Sequence, residues 1–77
     1  MVGSVASHQM DCRGLKCPMP IVRLSVVARS LRVGDEIQVV ADDPAFRPDL
    51  HAWARHANFT VVNFEDGVVQ TATLVKR

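Results

Sequence analysis

Cys17-Pro18-Met19-Pro20 stands directly ahead of the clearest helical pattern in the chain, and this junction constrains the fold more than any other feature. Proline suits the first helical position, because its missing N–H would have no partner there. A second proline is tolerated two residues on, since the first four amides of a helix are orphaned anyway. Ile21, Leu24, Ala28 and Leu31 then recur at helical spacing, with Val27 beside them. Arg23, Ser25, Arg29, Ser30 and Arg32 take the wetter faces, and Gly34 reads as the helix stop.

The segments on either side read as strands. His8 to Arg13 alternates weakly, and Gly14 allows a turn before the cysteine. Ile37, Val39 and Ala41 interleave with Gln38 and Val40, which reads as a strand buried on both faces or nearly so. Asp42-Asp43-Pro44 stops it. A second helix is expected from about Ala45–Pro48 to His56, with Leu50, Trp53, Ala54 and Ala57 inward and Asn58 leaving it left-handed. Thr60 to Phe64 is a third strand and Val68 to Val75 a fourth, joined by a tight Asp66-Gly67 hairpin. The order is β-α-β-α-β-β. Right-handed crossovers put both helices on one side of the sheet. The expected fold is therefore an α/β two-layer sandwich: a four-stranded mixed sheet with two helices packed on one face. The other face must be partly polar or covered by a partner.

With 77 residues the chain allows one domain, assigned to residues 8–77, behind a short mobile lead-in over residues 1–7. Apolar residues make up 48% and charged residues 22%, which argues against intrinsic disorder. Apolar runs are too short to span a bilayer, and Met1 to Ser7 does not read as an export signal. A cytoplasmic location is expected, with both cysteines as free thiols. Residues 1–34 hold five bases against one acid, and residues 35–77 hold four bases against seven acids. Bulk charge does not argue for nucleic acid, but a local basic patch near Cys17 is open.

Cys17 is the candidate nucleophile. The expected field is positive: free amides and the dipole of the helix point at the sulfur, and Lys16, Arg13 and Arg23 add to it if they lie near. Such a field favours thiolate. The plainer alternative is that Cys17 is a small buried apolar residue. Cys12 reads as a strand cysteine with no role, or as a resolving thiol for Cys17. His8, Cys12 and Cys17 do not have a recognised zinc spacing, and no metal or other cofactor is expected. Surface positions account best for His8, His51 and His56. Asp42-Asp43 reads as a strand end and helix start before it reads as a general base or metal pair. Trp53 reads as core.

The stretch Asp11-Cys12-Arg13-Gly14-Leu15-Lys16-Cys17-Pro18-Met19-Pro20 resembles the opening motif of the TusA-like (SirA-like) sulfur carriers, a Gly-Leu-x-Cys-Pro-x-Pro signature. Gly34-Asp35-Glu36 and Ala41-Asp42-Asp43-Pro44 are similar too, so the resemblance covers about residues 9–75. It implies that Cys17 takes a sulfane sulfur as a persulfide from a donor protein, a cysteine desulfurase or a rhodanese-like protein. Cys17 would then hand it to an acceptor protein, in transfer-RNA thiolation, molybdenum-cofactor synthesis or sulfur oxidation. Such a protein is a persulfide carrier rather than a turnover enzyme. Gly14, Lys16, Pro18 and Pro20 would support the thiol, and Arg13, Met19, Arg23 and Asp43 would meet partners. No direct contact with nucleic acid or membrane is implied, and a monomer or weak dimer is expected. Some relatives have a second cysteine where this chain has Ala54, and a basic residue where it has Ser25; Arg23 is a candidate substitute for the latter. The fold is shared with the C-terminal domain of a bacterial translation initiation factor, which is no evidence of function. Two alternatives stand beside the carrier: a non-catalytic interaction or regulatory module, and a thiol–disulfide switch using Cys12 and Cys17.

Overall fold

A computed structural model describes residues 7–77. The lead-in expected over residues 1–7 lies outside the described residues except for Ser7, which opens the first strand. The elements follow as β1 (Ser7–Asp11), α1 (Met19–Ala28), β2 (Glu36–Ala41), α2 (Phe46–Ala57), β3 (Phe59–Glu65) and β4 (Gln70–Lys76). The sheet order is β1-β2-β4-β3. β1 runs parallel to β2, and β4 pairs antiparallel with both β2 and β3. Strands β2 and β3 are thus parallel, and each helix is a crossover between parallel strands. This is the expected mixed, two-layer arrangement.

Alternation along the strands decides what each face meets. Ile37, Val39 and Ala41 of β2 and Ala72 and Leu74 of β4 are buried. They form one core with Leu24 and Ala28 of α1 and Phe46, Leu50 and Ala54 of α2. Burying one such aliphatic or aromatic side chain contributes about 1.5–3 kcal/mol. Among the described residues, no helix packs on the opposite face. β2 is therefore buried on one side only, with Glu36, Gln38 and Val40 half-exposed. Gln9, Gln38, Thr73 and Asn63 lie in one register row across that face. The amides and the hydroxyl of that row can face water.

Helix α1 stops at Ala28, six residues short of Gly34. Lys76 Nζ reaches the Leu31 carbonyl at 2.7 Å and the Ala28 carbonyl at 3.4 Å, satisfying oxygens at the helix end. Leu31 is still buried, but from the turn after the helix. Gly34 has its own N–H on the Lys76 carbonyl at 2.8 Å. Helix α2 ends on Asn58 in the left-handed conformation at φ 61°, as its sequence requires. Its inner face starts with Phe46, which the spacing did not mark, while Trp53 and Ala57 are only half-buried. The β3–β4 connection is four residues, from Asp66 to Val69, rather than a two-residue turn. Only Gly67 has positive φ there, at 149°, which a tight turn with two left-handed centres would not allow.

Candidate functional site

The site is the loop between β1 and α1, held against the loop between β2 and α2. Gly14 bends the first loop with φ 83°, a conformation that side chains rarely adopt, although a Cβ there would meet nothing within 4 Å. Its N–H donates to the Asp42 carboxylate at 3.0 and 3.2 Å. The Cys17 N–H donates to Asp43 Oδ2. Asp43 Oδ1 accepts from the Ala45 N–H at 3.1 Å, and its own carbonyl accepts from Gln70 Nε2 at 2.9 Å. Asp42 and Asp43 are thus a clamp, not a free acid pair. They fasten the cysteine loop to the sheet end and to the start of α2. The hydrogen bonds from Ala45 and Cys17 hold the Asp43 carboxyl below its ordinary range, with Lys16 adding a smaller pull.

Cys17 is exposed and Cys12 is fully buried; both are free thiols. Pro18 caps α1 rather than occupying its first turn, and the Cys17–Pro18 peptide is cis. Pro20 is buried and anchors the helix start in the core. Met19 is 44% exposed beside the thiol, and Arg23 is exposed on the following turn.

The expected cluster of positive groups does not gather at the sulfur: Lys16 is exposed with its charge felt at Asp43, and the side chain that bonds the sulfur is an acid. The Met19 N–H bonds the Lys16 carbonyl at 2.8 Å, and the Ile21 N–H bonds the Pro18 carbonyl at 3.1 Å. Pro18 and Pro20 have no N–H to offer. The helix start therefore leaves no free amide for an anion in its first three positions. Arg13 is chelated by Asp11, with Nε at 3.0 Å and Nη2 at 2.8 Å, and the Asp11 carboxyl is pushed down to about 2 by that pairing. What faces the sulfur is acid. Cys17 Sγ donates to Asp49 Oδ2 at 2.8 Å. That hydrogen bond, then partial desolvation, then the charges of Asp49 and Asp43 raise the thiol above its ordinary value. Cys12 is also raised, chiefly by burial, and the Arg23 charge acts there in the opposite sense.

Asp49 escaped the sequence reading. It lies 32 residues from Cys17 and in the first turn of α2, where an acid is already explained by the helix dipole. No local signal marks it as a cysteine partner. Of the histidines, His51 and His56 are exposed, but His8 is half-buried and its Nε2 has no hydrogen-bond partner. Among the described residues no three His, Cys, Asp or Glu groups come together as metal ligands. Among them, too, no helix is long and apolar enough to cross a membrane.

Comparison with known proteins decides the family. The family model described as Sulfurtransferase TusA matches residues 8–76. The chain belongs to the TusA family. A protein of Aquifex aeolicus (strain VF5), provisionally named a sulfur carrier protein, is 29% identical over 68 residues. That match takes in 88% of this chain and 34% of the relative, so the chain spans about a third of that protein's length. The crystal structure of a SirA-like protein from Desulfitobacterium hafniense superposes with a TM-score of 0.76, over 88% of this chain and 95% of that one. At 24% identity that likeness shows a shared fold. In this TusA-family domain the clamp and Asp49 surround the exposed Cys17.

Thiol labelling follows from this geometry. In the native protein a maleimide is expected to label Cys17 alone, with Cys12 joining only after denaturation. The rate should rise with pH to a midpoint above that of an unperturbed cysteine, and mass spectrometry of labelled peptides reads both. Prompt native labelling of Cys12 would contradict the buried assignment.

Proposed function

We propose that this domain is a sulfur carrier whose sulfur rests on Cys17 as a persulfide. The observation that carries the reading is an exposed thiol at the Cys-Pro-Met-Pro opening of α1 in a chain of the TusA family. The Cys17 sulfur attacks the outer sulfur of a donor persulfide. A new S–S bond forms at Cys17, the donor S–S bond breaks, and the departing donor sulfur takes the thiol proton. There is no net oxidation. The same exchange, run toward an acceptor thiol, unloads the carrier. Exposure of Cys17 lets donor and acceptor reach it in turn, and such contacts between small domains are brief and modest in area. Arg13, Met19 and Arg23 are surface groups beside the loop and suit partner contact. Asp43 uses both carboxylate oxygens on this chain's own amides, so it serves partners through the loop it holds.

The acid environment of Cys17 favours a second reading, an interaction module whose cysteine does no chemistry. One experiment separates the two. The protein is incubated with thiosulfate and rhodanese, or with cysteine and a desulfurase, and its intact mass is measured. The carrier reading expects a reducible gain of one sulfur, kept in Cys12→Ala and lost in Cys17→Ser. No gain with either donor, while the thiol still labels, gives the molecule to the second reading.

A further inference from the structure

The mechanism above does not use Asp49, and the hydrogen bond it accepts from Cys17 is the closest side-chain contact at the sulfur. Asp49 is held in place. It lies in the first turn of α2, one residue before Leu50, which is fully buried. Its position on the helix is therefore set by the core rather than by the loop it faces. Beyond the exposed Lys16, whose charge is felt at Asp43, the surroundings offer an anion little. The Met19 and Ile21 amides are spent on carbonyls, two prolines lack N–H groups, and the Arg13 guanidinium is chelated by Asp11. Asp43 adds a second carboxylate on the loop side, bound to the Cys17 amide.

An empty and a loaded carrier differ in charge. The thiol is neutral and donates to Asp49. A persulfide is a stronger acid than its parent thiol, so at neutral pH it is largely an anion, with no proton to donate. The contact that stabilises the empty state therefore becomes a repulsion in the loaded state.

We propose that Asp49 makes Cys17 a poor store for sulfur: its carboxylate binds the empty thiol and repels the loaded persulfide, so that cargo is passed on rather than kept. This rests on the persulfide reading given above. Asp49 touches the reacting sulfur and acts on the exchange equilibrium. It supplies no atom to the product: the bond formed is still Cys17 Sγ to sulfane sulfur, and the bond broken is still that of the donor.

The test is an equilibrium measurement. The protein is exchanged against glutathione persulfide and glutathione at a fixed ratio and neutral pH, and the loaded share is read by intact mass. Asp49→Asn should raise the loaded-to-empty ratio by roughly fivefold, the effect of removing one charge at about 4 Å in a water-like dielectric. Asp49→Glu, which keeps the charge, should stay near the unchanged protein. In about 1 M salt, where the screening length falls to about 3 Å, the gap between Asp49→Asn and the unchanged protein should close. A purely structural role would not respond to salt in this way. Equal loading of the unchanged protein and folded Asp49→Asn, or lower loading of the variant, would overturn the inference and leave the carrier reading intact. If Cys17 takes no sulfur in any form, both fall together.

Discussion

Asp43→Ala should leave the domain folded and slow the loading of Cys17 by about ten- to a hundredfold. Asp43 is held at three places at once, two of them through its side chain. One oxygen takes the Cys17 N–H, the other takes the Ala45 N–H, and the backbone carbonyl is held by Gln70. Removing the carboxylate deletes the first two and leaves the third. The Cys17 bond is exposed and the Ala45 bond only part-buried, so water can replace much of what they supply. The loss should therefore appear as loop freedom more than as unfolding. A reacting group displaced by about 1 Å can lose a hundredfold in rate, which sets the upper limit. Asp43→Asn is the sharper variant. An amide has one acceptor oxygen, so it can serve Cys17 or Ala45 but not both. Its loading rate should fall between those of the unchanged protein and Asp43→Ala. The readouts are single-turnover loading by mass and far-UV circular dichroism for the fold. Unchanged loading in Asp43→Ala would remove the clamp from the mechanism.

The same clamp has a pH dependence of defined sign. The Asp43 carboxyl is held below its ordinary value in the folded protein, so folding favours its charged form. That contribution is complete above the unfolded carboxylate value of about 3.9 and fades as pH falls through the lower folded value. Loading limited by loop order should therefore be insensitive to Asp43 titration at neutral pH. The thiol behaves in the opposite direction. Cys17 is raised, chiefly by its hydrogen bond to Asp49, so its alkylation rate keeps climbing where an ordinary cysteine has levelled off.

Local signals made the elements and their order legible, and long-range partners were the part that the sequence hid. Hydrophobic alternation in residues 37–41 found β2, but it could not tell one buried face from two, because Val40 and Val39 look alike until the helices are placed. Asn58 was readable as a helix end because a left-handed exit is a property of one residue. Gly34 does not stop α1 because the helix already closes at Ala28 in i to i−3 turns, and Lys76 of the last strand holds the Leu31 carbonyl beyond them. The site divides the same way. Cys17 and its prolines are contiguous and were visible. The field at the sulfur was expected to be positive from Lys16, Arg13 and a helix start. An acid faces the sulfur instead because Asp11 chelates Arg13, the amides are spent locally, Lys16 is exposed with its charge felt at Asp43, and Asp49 arrives from the second helix.

Phe46→Ala should be among the most damaging changes to the fold, costing about 3–5 kcal/mol. Phe46 is 1% exposed and the largest of the fully buried side chains. Its ring stacks on Phe64 of β3 at 6.1 Å between centroids. It opens α2, where one turn of pattern is too short to show a helical period. A domain of this length has about 4–12 kcal/mol in total, so the variant should be largely unfolded or melt at least about 12 °C lower. Phe46→Leu keeps most of the volume and should cost far less. The consequence reaches the site, because Phe46 directly follows the Asp43–Ala45 turn and its N–H bonds the Asp43 carbonyl at 3.0 Å. In Phe46→Leu, loading of Cys17 should survive while the melting temperature falls. Thermal denaturation of the three proteins, followed by circular dichroism, checks the order. A melting temperature for Phe46→Ala within a few degrees of the unchanged protein would show that α2 is not seated by this ring.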